Sequence, residues 1–363
     1  MDFSMRGYLA IKGIGTFPGS YFGWQGPCSG EIVKFQSINF CWDILTDPTY
    51  KKKIVITDSI GIDDRQPTPE EIQSFMPHLE GIVFLGQVGT VGNGSGNNIL
   101  RKYFESNRIA GFIPDGKELL KDILEFYSPT TGGIDKNREE AIKISISHVR
   151  LDKEDLRSVS APEEFYWDLA AGDLPEEKQI AAVWDFGANY NLFRSLRLMG
   201  CRVRIVPPHM EPEDIVALHP DAVVIPGGPA AARNSDSFLP KVERMIGIRP
   251  LLGVGGGAAL LARALGMKTK PIDFPHYGNS IPIEDTETGK IEASYQTHSI
   301  TIDPRSARDA GVTITQVNVC DGSIEGFAIP EYETAGSFCL PTVEYLPGYF
   351  KNFLNSLKIS HVG

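Results

Sequence analysis

Two rhythms of apolar and polar residues divide the chain. Over residues 1–150 the apolar runs are short and stop at turn residues. Residues 7–11, 30–35 and 54–57 read as strands, set apart by Lys12-Gly13 and by the run Lys51-Lys52-Lys53. Thr68-Pro69-Glu70-Glu71 predicts a helix start: a capping Thr, a first-turn Pro and carboxylates at the positive end of the dipole. Residues 97–105 and 117–126 read as helices. Pro129, Gly132 and Gly133 break both periods, so residues 128–138 are expected to be irregular.

From residue 179 onward strands and helices alternate. Strands are expected at 180–185, 202–206, 222–225 and 251–254. Helices are expected at 189–199, 212–218 and 258–264, with Gly200 and Gly266 as stops. The apolar strand at 222–225 runs straight into Pro226-Gly227-Gly228-Pro229. Between the halves, residues 151–178 are charged and proline-punctuated and read as a linker over the surface. The expected fold is α/β: a β-rich N-terminal domain over 1–150, then at 179–363 a mostly parallel sheet flanked by helices. Sites in such sheets lie at the carboxyl ends of strands, which singles out Gly227-Gly228 and the stretch from Gly253 to Gly257.

Composition narrows the function. The chain has 363 residues, 35 Lys+Arg against 46 Asp+Glu and a net charge of -11. That balance argues against nucleic acid or an anionic membrane as partner. No apolar run is long enough to span a bilayer, and the first residues lack the pattern of a signal peptide. The five cysteines form no CxxC pair, so neither a metal centre nor a disulfide framework is indicated. A cytoplasmic protein with reduced thiols and no cofactor is expected.

Several stretches then converge on one family. They are Gly7-Tyr8-Leu9-Ala10, Gly30-Glu31-Ile32-Val33 and Ile44-Leu45-Thr46-Asp47-Pro48-Thr49-Tyr50 in the first half. In the second half they are Trp184-Asp185-Phe186-Gly187, Gly200-Cys201-Arg202-Val203, Leu260-Leu261-Ala262-Arg263-Ala264-Leu265-Gly266 and Asp321-Gly322-Ser323-Ile324-Glu325-Gly326. In these the chain resembles the small, glutaminase subunit of carbamoyl-phosphate synthetase, whose second half is a class I glutamine amidotransferase domain. The resemblance implies a cysteine on a sharp strand-to-helix turn, a histidine to take its proton and a glutamate to orient that histidine.

This chain departs from that pattern at all three positions. Where the family has Gly-Ile-Cys-Leu-Gly-His-Gln, the chain has Gly253-Val254-Gly255-Gly256-Gly257-Ala258-Ala259. The histidine and glutamate positions fall on Leu340 and Thr342. The resemblance therefore implies a chain without a catalytic triad. It also implies a vestigial glutamine pocket around Ser37, Gly227, Gly228, Gly256, Ala259, Gln296, Thr297 and Ser299. Cys339 and His298 are the candidates for a replacement nucleophile and base, with His276 near them in the family's layout. The favoured reading is that Cys339 is a small buried hydrophobe and His298 a hydrogen-bonded loop residue. Gly255-Gly256-Gly257 reads either as an anion-binding turn or as relief of a strained elbow.

Three functions follow. The first is a catalytically inactive subunit that supports a large ATP-grasp synthetase using free ammonia. The second is a small-molecule sensor built on the vestigial pocket. The third is a repurposed enzyme.

Overall fold

The computed structural model describes residues 5–35, 42–57, 66–85, 99–116, 130–147, 153–169, 174–229 and 237–360. Its contacts divide the chain into two units, one of residues 1–150 with 273–277, the other of 151–272 with 278–363.

The first unit is a closed barrel. Its strands are β1 (Arg6–Ile11), β2 (Gly15–Gly23), β3 (Cys28–Phe35), β4 (Lys53–Thr57), β5 (Gly81–Phe84), β6 (Ala110–Pro114) and β7 (Thr130–Asp135), joined in the order β1-β2-β6-β5-β4-β3-β7. Side chains two apart point the same way along a strand. The barrel is filled accordingly by Leu9 and Ile11, Ile54 and Ile56, Val83 and Leu85, and Ala110 and Phe112. The stretch from Ile44 to Tyr50 packs beneath it, with Ile44, Leu45, Asp47 and Tyr50 fully buried. Asp47 caps the turn at Pro48–Tyr50 by accepting from Thr49 N at 2.8 Å.

Two expectations for this unit fail. Residues 130–135 form the strand that closes the barrel against β1 and β3. A Cβ on Gly132 would stand 2.5 Å from Ile32 Cδ1, and one on Gly133 2.6 Å from Ala141 O. These glycines mark close packing in a strand rather than its interruption. At Thr68 the chain makes one turn and no helix: Glu71 N donates to Thr68 O, while the Glu71 carboxylate accepts from Thr68 N. The turn then runs into Gln73 and Ser74, whose groups bond Thr46 instead of continuing a helix. The expected helix at 117–126 lies outside the described residues.

The second unit is built on a ten-stranded sheet. Its parallel centre comprises β9 (Gln179–Trp184), β10 (Cys201–Val206), β11 (Ala222–Ile225), β12 (Leu251–Val254) and β17 (Thr334–Ser337). Beside β17 the sheet continues through β16 (Ile324–Ile329), β15 (Thr313–Asn318), β13 (Thr269–Asp285) and β14 (Ile291–Ile302), with antiparallel steps from β17 to β16, β16 to β15 and β15 to β13. Its core joins the central strands to the helices Leu239–Met245 and Gly256–Ala264.

The expected linker is more ordered than its composition suggested. Lys153–Val159 is helical, and β8 (Phe165–Tyr166) adds an antiparallel edge to β10. Arg202 stacks its guanidinium 3.9 Å from the Tyr166 ring, Arg204 lies 5.2 Å from it, and Arg204 also pairs with Glu164. Cation–π stacking and ion pairing fasten to the sheet a segment too poor in apolar residues to fold alone.

Candidate functional site

β12 ends at Val254 and the helix Gly256–Ala264 begins two residues later. Gly255 makes the whole change of direction, with φ 57° and ψ −123°. This is a region that residues with side chains enter only under strain, and strand-to-helix elbows that display a nucleophile use it. The turn is fastened by Gly255 N donating to Ser337 O at 2.8 Å. A Cβ on Gly255 would lie 2.8 Å from Leu340 Cδ2 and 3.2 Å from Gly227 Cα. A Cβ on Gly227 would in turn stand 3.0 Å from Gly256 N, and one on Gly228 2.2 Å from Phe186 O. The turn after β11 thus presses its backbone against the elbow.

Leu340 reaches the elbow from a segment tied to β14, where its backbone N–H donates to Tyr295 O at 2.8 Å. Its side chain is 4% exposed. Thr342 uses its hydroxyl locally, accepting from Tyr345 N at 3.1 Å. Ala259 is buried within the core beneath the elbow. Gly255, Gly256, Gly227 and Leu340 are therefore together. Ser37 lies outside the described residues, and His276 falls in the segment of β13 that groups with the first unit.

Three of the remaining polar candidates, Gln296, His298 and Cys339, meet in a buried network with Ser294 and Glu325. Ser294, Gln296 and His298 alternate along β14 and are buried, while Thr297 and Ser299 between and beyond them are half-buried. Gln296 Nε2 donates to Ser294 Oγ at 3.0 Å and reaches Cys339 Sγ at 3.6 Å; its Oε1 lies 3.0 Å from His298 Nε2. His298 Nδ1 donates to Ile300 O at 2.8 Å, and Nε2 lies 3.1 Å from Glu325 Oε2. Ser323 Oγ donates to the other Glu325 oxygen at 2.7 Å. The Phe338 ring covers the imidazole, with centroids 4.6 Å apart.

Cys339 belongs to this network. Its thiol faces Gln296 while its neighbour Leu340 faces the elbow, as adjacent residues of an extended segment do. Burial, with the charge of Glu325 adding to it, pushes the thiol up to about 12. A thiol held neutral is a poor nucleophile. Glu325 is the residue that sequence reasoning passed over. It stood in the stretch Asp321-Gly322-Ser323-Ile324-Glu325-Gly326, and the signal was a carboxylate inside an otherwise apolar strand.

At the elbow the atoms nearest a side chain on residue 255 belong to Leu340 and Gly227, and neither offers a proton acceptor. The surface there is backbone and hydrocarbon. Among the described residues no helix is long and apolar enough to cross a membrane.

Comparison with known proteins agrees with the fold. The glutamine amidotransferase class-I family matches residues 182–337, which run from β9 to the end of β17. Over almost the whole chain the similarity is to carbamoyl phosphate synthase small chains. That of Aquifex aeolicus is 30% identical over 329 residues, covering 88% of each chain. That of Syntrophotalea carbinolica is 28% identical and covers 89% of each. The chloroplastic small chain of Arabidopsis thaliana is 26% identical over 90% of this chain and 79% of its own. Similar at 30% identity over most of its length, the chain belongs to the carbamoyl phosphate synthase small chain family.

Proposed function

We propose that this chain is a small-chain subunit that hydrolyses no glutamine and instead binds and supports an ATP-grasp partner of the carbamoyl-phosphate-synthetase type, which takes up free ammonia. The observation that carries the reading is the contact of Leu340 with Gly255. Glutaminase chemistry at an elbow needs a thiolate at the turn and a base within reach of it. Here the turn has no side chain, and the residue leaning over it is a leucine. Cys339 is no substitute, since its thiol is buried, neutral and turned toward Gln296.

Family membership supports the partner, because the relatives are by name small chains of a synthase. The stretch from Ile44 to Tyr50 does not add to that support. It is buried, so its retention serves the folding of the first unit rather than a docking surface.

The test is size-exclusion chromatography with a large-chain ATP-grasp protein from the same organism, followed by two assays. Co-elution, no glutamate release from glutamine and altered ammonia-dependent ATP turnover are expected. Glutamate release above the uncatalysed rate overturns the inactive reading. Separate elution with unchanged ATP turnover overturns the subunit reading.

A further inference from the structure

The second unit contains a cavity of about 640 Å³ to which no elbow residue contributes. Its floor is formed by β15, β16 and β17, and the helix Gly348–Ser360 lies over it, contributing Tyr349, Asn352, Phe353 and Ser356. That i, i+3, i+4, i+7 spacing puts one helix face on the opening. The volume lies in the range that holds small organic ligands, about 300–1,000 Å³.

The lining selects the chemistry. Phe327, Phe353 and Tyr349 supply aromatic walls. The hydroxyls are largely committed elsewhere: Thr286 donates to Ile314 O, Thr334 to Tyr332 O and Tyr349 to Cys339 O. Asn352 and Gln316 add side-chain amides, and the charge on the described lining is of one sign. Among the described residues Asp285, Glu287 and Glu333 line the cavity, and no lysine, arginine or histidine does. Glu287 and Glu333 are exposed, as carboxylates at a mouth are. An anion is repelled by this arrangement. A cation gains from the carboxylates and from the aromatic faces together.

We propose that this cavity binds a small organic cation that carries a ring, of the arylalkylamine type: ring between Phe327 and Phe353, ammonium toward Glu287 and Glu333. The described lining shares no residue with the elbow, and the proposal does not rest on the subunit reading, so either can fail without the other.

The probe is tyramine, titrated calorimetrically at low ionic strength, with 4-hydroxyphenylacetate as the anion of similar shape. Tyramine is expected to bind saturably and the anion not to bind. The double variant Glu287→Gln/Glu333→Gln, altered only at exposed positions, is expected to bind tyramine at least about tenfold more weakly. Amide hydrogen exchange is expected to slow in the helix Gly348–Ser360 when tyramine is added. The proposal is overturned if tyramine shows no saturable binding, if the anion binds as well, if the double variant binds unchanged, or if protection appears only outside that helix and β15 to β17.

Discussion

Leu340 Cδ2 stands 2.8 Å from the place where any side chain on residue 255 must begin. Elbow and lid are thus fitted to each other as glycine and leucine. Introducing Gly255→Cys meets two obstacles, the φ of 57° and the leucine methyl. It is expected to cost about 1–3 kcal/mol of stability in urea denaturation. Leu340→Ala, which empties a buried site, is expected to cost about 2–4 kcal/mol. Because the methyl that obstructs the cysteine is gone in the double variant, the two costs should sum to less than additive by at least about 0.5 kcal/mol. Strict additivity denies the contact. None of the three variants should release glutamate from glutamine.

The His298–Glu325 pair makes a second prediction. Glu325 is 0% exposed and receives a hydrogen bond from Ser323. Removing one member of a buried pair strands the other. Glu325→Ala is therefore expected to cost about 3–5 kcal/mol in chemical denaturation. Glu325→Gln keeps the shape and the Ser323 bond, so it should cost less. A Gln variant as stable as the parent shows that the pair carries no net charge interaction.

Thiol reactivity separates the cysteines. Cys339 is buried with its thiol pushed up to about 12, whereas Cys320 is exposed. Iodoacetamide at pH 7.5 should label Cys320 and leave Cys339 unmodified until the protein is unfolded, as read by peptide mass spectrometry. Rapid native labelling of Cys339 contradicts its placement and reopens it as a nucleophile. In the folded protein the neutral thiol is favoured over the range from about 9 to 12. Stability contributed by this group is thus intact below pH 9 and is lost as pH rises through that window.

His78 sets an acid limit on the first unit. Burial, with the charge of Lys51 adding to it, lowers its imidazole to about 3, and its Nε2 lies 2.9 Å from Ser74 Oγ. Below pH 6.5 the unfolded chain takes up a proton that the folded chain refuses. The unfolded state then binds more protons, so stability falls as pH falls from 6.5 toward 3, by up to about 1.4 kcal/mol per unit. Urea midpoints measured from pH 7.5 to 5 should drop less steeply for His78→Gln than for the parent. Equal slopes assign the acid sensitivity to other groups.

Much of the second unit was legible because its strands are continuous apolar runs closed by capped helices. Asn189 accepts from Leu192 N at 3.1 Å, and Gly200 has φ 82° where the helix was expected to stop. Periodicity failed where tertiary packing outweighed it. Gly132 and Gly133 look like breakers but admit neighbouring side chains and backbone to a barrel strand. Phe165 and Tyr166 sit in a charged stretch yet pair with β10, where Arg202 and Arg204 lie against the Tyr166 ring. At the site, Gly255 and Leu340 were legible through a family pattern. Gln296, His298 and Cys339 were legible as candidates in the same way, but Ser294 and Glu325 were not, since the network's members meet across three separate segments.

The first unit closes upon itself: β7 joins β1 to β3 and every strand has two neighbours. A partner cannot recruit it by adding a strand to the barrel, because among the described strands no backbone edge is on offer. Whatever binds this barrel must read side chains and loops, which change one residue at a time while the framework stays fixed. Specificity for a partner can therefore drift by single substitutions without disturbing the barrel that displays them.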